Sequence, residues 1–230
     1  MILLSCDTSN STCCAGVYEN TRPIAFELSN DPRTHSETFM PLVRRVMKQA
    51  EVTFDDIDFF AVTTGPGSFT GIRIGLSAVK GMALASGKKV IPVSSTMALA
   101  RSCDIARDDG RNVYFVPAFD ARNSRVFARM INARTYDTII DENAYDASDL
   151  ALQISHLVSH TKPRILVLGN GADTLRDYLN EHGVRAEYAC GAVITPQGIS
   201  RAALLDPKPI DGAFVQATYC AVSQAERFKK

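Results

Sequence analysis

The chain has 230 residues, of which 46% are hydrophobic and 22% charged; this composition excludes a disordered or fibrous protein and fits one or two compact lobes, two modest ones best. Lys+Arg and Asp+Glu both number 25, so there is no net positive field to hold a nucleic-acid backbone, and any RNA would need a partner to hold it. No apolar run approaches the roughly 20 residues that span a bilayer, which predicts a cytoplasmic protein without membrane association.

Ile2 to Asp7, Thr12 to Tyr18 and Pro23 to Ser29 are short β-branched and apolar segments separated by Thr8-Ser9-Asn10-Ser11 and Glu19-Asn20, the pattern of an antiparallel meander. Leu3-Leu4-Ser5-Cys6 superficially resembles a lipoprotein box, but no basic or apolar stretch precedes it, and it reads as a buried first strand. Phe39, Leu42, Val43, Val46, Met47 and Ala50 then recur at helical spacing, predicting an amphipathic helix over Ser36 to Ala50. A buried strand at Phe59 to Thr63, a glycine-rich loop, a second helix to about Ala85 and a strand at Lys89 to Val93 complete a β-β-β-α-β-α-β order.

From about Thr96 a short helix leads into a second lobe. Val113 to Phe119 and Val126 to Ile131 read as paired strands around Asp120-Ala121-Arg122-Asn123. A helix at Ser148 to His160, a strand at Ile165 to Leu168 followed by Gly169-Asn170-Gly171, and a helix at Ala172 to His182 follow. Phe214, Ala217, Ala221 and Ala225 are spaced as in a helix over Ala213 to Phe228. The fold class expected is α/β, with two lobes that each hold a mixed sheet flanked by helices. Residues 1–97 form the first lobe, 98–212 a smaller second one, and 213–230 a helix packing back on the body.

The most informative stretch is Thr63 to Ala85, TTGPGSFTGIRIGLSAVKGMALA. It is not a P-loop, because no Lys-Ser/Thr follows the last loop glycine. Nor is it a dinucleotide fingerprint, because Gly65, Gly67 and Gly71 leave one residue too many between the second and third glycines. Glycines let the backbone turn tightly after the strand, and Ser68 or Thr70 can cap the helix. Gly71, Gly75, Ala78 and Gly81 leave bulky side chains out of that helix, at about 0.5 to 1 kcal/mol per interior glycine relative to alanine. Close approach of another backbone would compensate, either from the sheet beneath or from a helix of another chain.

Gly-Pro-Gly-Ser-Phe-Thr-Gly-Ile-Arg-Ile-Gly, preceded by Asp7-Thr8-Ser9 and His35-Ser36-Glu37 and followed by Asp120-Ala121-Arg122, resembles the TsaB family. The resemblance covers most of the chain, and the first hundred residues carry its distinctive part. It implies two actin-like, ribonuclease H-like lobes and a degenerate relative of TsaD, the subunit that transfers threonylcarbamoyl to the adenosine beside certain tRNA anticodons. It further implies a non-catalytic subunit that binds TsaD directly through N-lobe helices, works with the ATPase TsaE, meets tRNA through the complex and forms homodimers when alone. On that reading Phe39, Leu42, Val43, Val46 and Met47 of the first helix and Gly71, Ile72, Gly75, Leu76 and Val79 of the second meet the partner. Asp7, Thr8, Ser9, Asp120, Gly169 and Gly171 stand where the ancestral fold places nucleotide contacts. Each also has a plain structural reading as a turn or strand end. No cofactor, metal or catalytic residue is assigned.

TsaD-type proteins carry two histidines four apart at the start of the first N-lobe helix, whereas this chain has His35 and Phe39. Phe39 cannot ligate a metal, and His35 alone falls short of the roughly three ligands a catalytic site needs; it reads as a helix-start residue that hydrogen-bonds locally. His156 and His160 are four apart without the Glu of H-E-x-x-H and read as a solvated face. Cys6, Cys13, Cys14, Cys103, Cys190 and Cys220 contain no C-x-x-C pair and read as reduced thiols. The competing function is a stand-alone actin-like ATPase or kinase using Asp7 and Asp120. A zinc peptidase lacks a nucleophile-and-ligand set.

Overall fold

In the computed structural model, residues 1–30, 35–104, 112–161 and 163–220 are described. The chain forms two compact units. The first joins Met1–Ser102 to Val193–Tyr219, and the second is built on Cys103–Ala192.

In the first unit, β1 (Ile2–Asp7), β2 (Cys13–Glu19) and β3 (Arg22–Ser29) make the expected antiparallel meander, while β4 (Phe59–Gly65) and β5 (Lys89–Ser94) run parallel to β1. The sheet order is β3-β2-β1-β4-β5. Strand residues alternate between faces, and Leu4, Cys6, Val17, Phe60 and Val62 share one core with α1 (His35–Gln49) and α2 (Phe69–Ser86). The short helices α3 (Ser95–Arg101) and α6 (Pro196–Ala203) pack together, and α6 also lies against β1 and β2. Ser68 caps α2 by accepting the Gly71 N–H, and left-handed Gly87 ends it, as P-G-S and S-G signals allow.

The second unit repeats the plan. Strands β6 (Val113–Asp120), β7 (Arg125–Asn132) and β8 (Thr138–Asp146) are antiparallel, and β9 (Arg164–Leu168) and β10 (Glu187–Ala189) continue parallel to β6 in the order β10-β9-β6-β7-β8. Leu150 and Ile154 of α4 (Ala147–Val158) and Leu175 and Leu179 of α5 (Ala172–Glu181) join Val116, Met130 and Val167 in its core.

The expected division needs two corrections. The second unit starts after Ser102 rather than at residue 98, and Val193–Tyr219 returns to the first unit. The return has a physical cause: Ser102 Oγ accepts both the Thr195 N–H (2.9 Å) and the Thr195 hydroxyl, and Ser200 Oγ donates to the Asn20 carbonyl. The terminal helix expected over Ala213 to Phe228 is absent through residue 220. Gly212–Phe214 makes one 3-10 turn, after which the Thr218 N–H donates to the Thr64 carbonyl instead of to its own segment. Ala221, Ala225 and Phe228 lie outside the described residues.

Candidate functional site

The end of β1 and the start of α2 meet around Asp7-Thr8-Ser9. Asp7 Oδ1 accepts the Ser9 N–H (2.9 Å), the Ser9 hydroxyl (2.6 Å) and the Thr63 hydroxyl from β4. Ser9 Oγ accepts in turn from Asn10 Nδ2 (2.9 Å) and Ser95 Oγ (3.1 Å). Asp7, Thr8 and Ser9 are buried. Burial pushes the Asp7 carboxyl up, against the opposing effect of the Ser9 and Thr63 hydrogen bonds. Its second oxygen, Oδ2, is buried without a hydrogen-bond partner among the described residues.

The glycines of the loop and helix close on this turn. Thr8 Oγ1 donates to the Gly71 carbonyl (2.7 Å), and the Ser68 N–H donates to the Ser9 carbonyl (2.7 Å). A Cβ added at Gly67 would come under 3.0 Å from Ser9 O, at Gly71 from Thr8 O and at Gly75 from Thr8 Oγ1. Of the two compensations the sequence left open, internal packing is therefore the one found at these positions: α2 lies so close to the first hairpin that a side chain does not fit. Gly81 differs, being exposed with nothing within 4 Å of an added Cβ. Helix α1 is tied to the same turn, because His35 Nε2 donates to the Asn10 carbonyl (2.6 Å), 25 positions away, rather than to a group local to the helix start as expected.

The residues expected to meet a partner are placed differently by the structure. Phe39, Leu42, Val43, Val46, Ile72 and Val79 are at most 2% exposed, Met47 and Leu76 at most 8%, and Gly71 and Gly75 are buried in the clamp. Their apolar periodicity marks the face each helix turns to its own sheet, so this assignment is corrected to core. The face left outside on α2 runs through Phe69, Arg73, Ser77, Gly81 and Leu84, of which Leu84 is 85% exposed. On α1 it runs through Glu37, Pro41, Arg44 and Lys48. The Arg73 guanidinium lies 3.7 Å over the Phe69 ring and donates through Nε to the Tyr219 hydroxyl (3.0 Å), and the Phe69 and Tyr219 rings are 5.0 Å apart. Arg73, Ser77, Lys80, Gln216 and Tyr219 line a shallow groove beside this face. The missed signal was available: positions 69, 73, 77, 81 and 84 also recur at helical spacing.

The second unit brings the other expected positions into one corner. Asp120 ends β6, where its Oδ1 accepts the Arg122 N–H (2.9 Å) and its N–H donates to Asn170 Oδ1 (3.1 Å). Gly169 is left-handed, and the Gly171 N–H donates to the Ala118 carbonyl (3.0 Å). A Cβ at Gly171 would press on the Ala118 and Phe119 backbone, so this glycine serves close packing between α5 and β6. His156 and His160 are exposed, and no group of three or more His, Cys, Asp or Glu suited to a metal occurs among the described residues. All six cysteines are free. Burial raises Cys6 and Cys14 well above the ordinary thiol range and pushes Cys13 up to about 11, which leaves these thiols protonated and unreactive at neutral pH.

Two sheets of the same strand order, each with three antiparallel strands followed by two parallel ones, define a two-lobed α/β protein of the actin-like class. The chain belongs to the tRNA N6-adenosine threonylcarbamoyltransferase (TsaD) family, whose sequence profile matches residues 29–224. Its curated relatives include proteins named tRNA threonylcarbamoyladenosine biosynthesis protein TsaB. That of Escherichia coli is 33% identical over 128 residues, covering 55% of this chain and 53% of the relative. That of Haemophilus influenzae is 31% identical over 128 residues, covering 55% and 52%. The match thus spans about half the length of these two relatives. The Bacillus subtilis TsaB is 27% identical over 221 residues, covering 94% of this chain and 86% of its own. Among solved structures, YeaZ from Pseudomonas aeruginosa superposes with a TM-score of 0.76 at 23% identity, covering 95% of this chain and 99% of its own. A second Pseudomonas aeruginosa structure, described as similar to peptidase YeaZ, gives 0.77 at 22% identity, covering 96% and 99%. Both likenesses establish the fold.

Proposed function

We propose that this chain acts in tRNA threonylcarbamoyladenosine biosynthesis as a non-catalytic subunit that binds and organises TsaD, with TsaE as a further member of the complex. It meets tRNA through that complex and pairs with itself when alone. The observation that carries the reading is the clamp. Three hydrogen bonds engage one Asp7 oxygen, and the turn that bears this aspartate is buried beneath α2. A carboxylate closed off in this way supports a scaffolding role over the stand-alone ATPase, which would need Asp7 open to magnesium and phosphate. The rigid base in turn holds α1 and α2 with their outer faces free for a partner, and Leu84 and the Phe69–Arg73–Tyr219 cluster supply the apolar and aromatic anchors that such interfaces favour. The subunit is expected in the cytoplasm, where its RNA is.

The test is reconstitution. The purified chain is mixed with TsaD and TsaE from the same organism, and threonylcarbamoyl transfer to unmodified tRNA is followed with each component omitted in turn. Transfer that requires this chain, from a chain that turns over no ATP alone, is the expected result. Transfer without it, or ATP hydrolysis by the chain alone that disappears in Asp120→Ala, would establish the enzyme reading instead.

A further inference from the structure

The loop between β6 and β7 carries three consecutive residues in left-handed backbone, with φ of 63° at Arg122, 53° at Asn123 and 56° at Ser124. None is glycine, although glycine would adopt this conformation freely and any residue with a Cβ is strained there. The bonds that hold the loop use the backbone and Asp120. The Ala121 N–H donates to the Arg125 carbonyl (2.9 Å), Arg125 N–H to Arg122 O (3.1 Å), Ala147 N–H to Ser124 O (2.9 Å) and Arg122 N–H to Asp120 Oδ1 (2.9 Å). The side chains of Arg122, Asn123 and Ser124 take no part in them. All three residues are exposed, and their side chains make no hydrogen bond or ion pair among the described residues. Asn123 thus lacks even the local side-chain bond that commonly accompanies asparagine in this conformation. Of the nearby charges, Arg125 lies 3.6 Å from the Asp146 carboxylate, and Asp120 is turned onto the loop backbone, which leaves the Arg122 guanidinium available.

A loop that had only to reverse the chain would be better made of glycine. We propose that this tip keeps its three side chains to contact phosphate oxygens of an RNA backbone, an inference that rests on the tRNA-linked function above. A guanidinium fork, an amide and a hydroxyl side by side are the donors that bind successive phosphates along a strand, positioning it without reading its sequence. A contact of this kind is compatible with a chain of zero net charge, because it orients RNA that a partner also holds.

The test uses the full chain in complex with TsaD, unmodified tRNA in fluorescence anisotropy at low salt with a salt titration, and thermal melting of the chain alone. Relative to the unsubstituted chain, Arg122→Ala is expected to melt at the same temperature, to weaken tRNA binding several-fold and to lower the salt slope by about one. Asn123→Gly/Ser124→Gly is expected to melt a few degrees higher while also binding tRNA more weakly. An unchanged or lower melting temperature for the glycine pair would remove the strain premise. Equal tRNA affinity of TsaD with and without the unsubstituted chain, or unchanged affinity and slope in Arg122→Ala, would overturn the contact. Loss of TsaD capture with tRNA binding intact would reassign the tip to a protein interface. In that case, or with RNA affinity unaltered, a reconstitution that still requires this chain would leave the partner-subunit function standing.

Discussion

A methyl group placed on Gly75 would fall under 3.0 Å from Thr8 Oγ1 while keeping 3.6 Å from Thr8 Cβ, so a single hydroxyl decides whether α2 can carry a side chain there. Gly75→Ala forces that hydroxyl off the Gly71 carbonyl. The loss of about 1 kcal/mol for the bond and the added crowding of about 1–3 kcal/mol exceed the 0.5–1 kcal/mol gained in helix propensity. The variant should therefore be less stable in urea denaturation, and Gly75→Leu more so. Thr8→Ala/Gly75→Ala should recover part of the loss, giving a coupling on the order of 0.5–3 kcal/mol. Gly71→Ala faces the Thr8 carbonyl itself and should not be rescued. Additive effects at positions 8 and 75 would show that the hydroxyl is not the obstacle.

Position 81 should behave in the opposite way. Gly81 is an exposed helix glycine with open space where a Cβ would go, so Gly81→Ala should raise stability by about 0.5–1 kcal/mol. Gly81→Arg and Leu84→Asp should leave the melting temperature close to that of the unsubstituted chain while abolishing TsaD capture in size-exclusion chromatography. Normal capture by both would move the interface elsewhere.

Phe39 stands four residues after His35, where the family resemblance implies the second histidine of TsaD-type proteins. Because it is 1% exposed in the core of the first unit, and His35 already donates to Asn10, Phe39→His should bind no zinc in equilibrium dialysis. It should lose several kcal/mol of stability, about the 3–5 kcal/mol of a large-to-small aromatic change. A metal-stabilised Phe39→His would contradict this.

The buried carboxyl of Asp7 sets a pH dependence. Its folded-state pKa is raised from its ordinary 3.8, first by burial. Below that ordinary value the group is protonated in both states. As pH rises through 3.8 the unfolded chain releases its proton first, so this contribution to stability declines with rising pH until the folded pKa is passed. Asp7→Asn keeps an acceptor for Ser9 and Thr63 without the charge. The stability of the original chain relative to Asp7→Asn should therefore fall between pH 4 and 7 in denaturant titrations. A difference that grows over this range would mean that the hydrogen bonds, not burial, dominate.

The sequence made legible whatever is local and periodic. The meander, both long helices of the first unit, the Ser68 cap and the alternation of the second unit follow from spacing and turn residues. Which body covers an apolar stripe is not written in the stripe: Leu42 and Val46 read the same whether they meet a sheet or another protein. The packing of α1 on β2 and β3, with Leu42 and Val46 in one core with Val17 and Ala25, decides it. The partner of Asp7 on β4 lies 56 positions away, so the clamp needed the fold to be seen. Strand β8, with Asp141, Glu142 and Asn143 between its apolar residues, and helix α6, short and carrying Gly198, gave too weak a pattern. Ala217 and Ala221 suggested a helix only because alanine suits one.

The repeated strand order sets Asp7 and Asp120 in equivalent places, each closing the first strand of its sheet and each accepting through Oδ1 the N–H two residues on, both at 2.9 Å. The two halves are variations on one corner, folded inward in the first and outward in the second. One half serves as an anchor and the other keeps a fingertip, so exchanging the two short turns would be expected to loosen the helices of the first lobe and blunt the second.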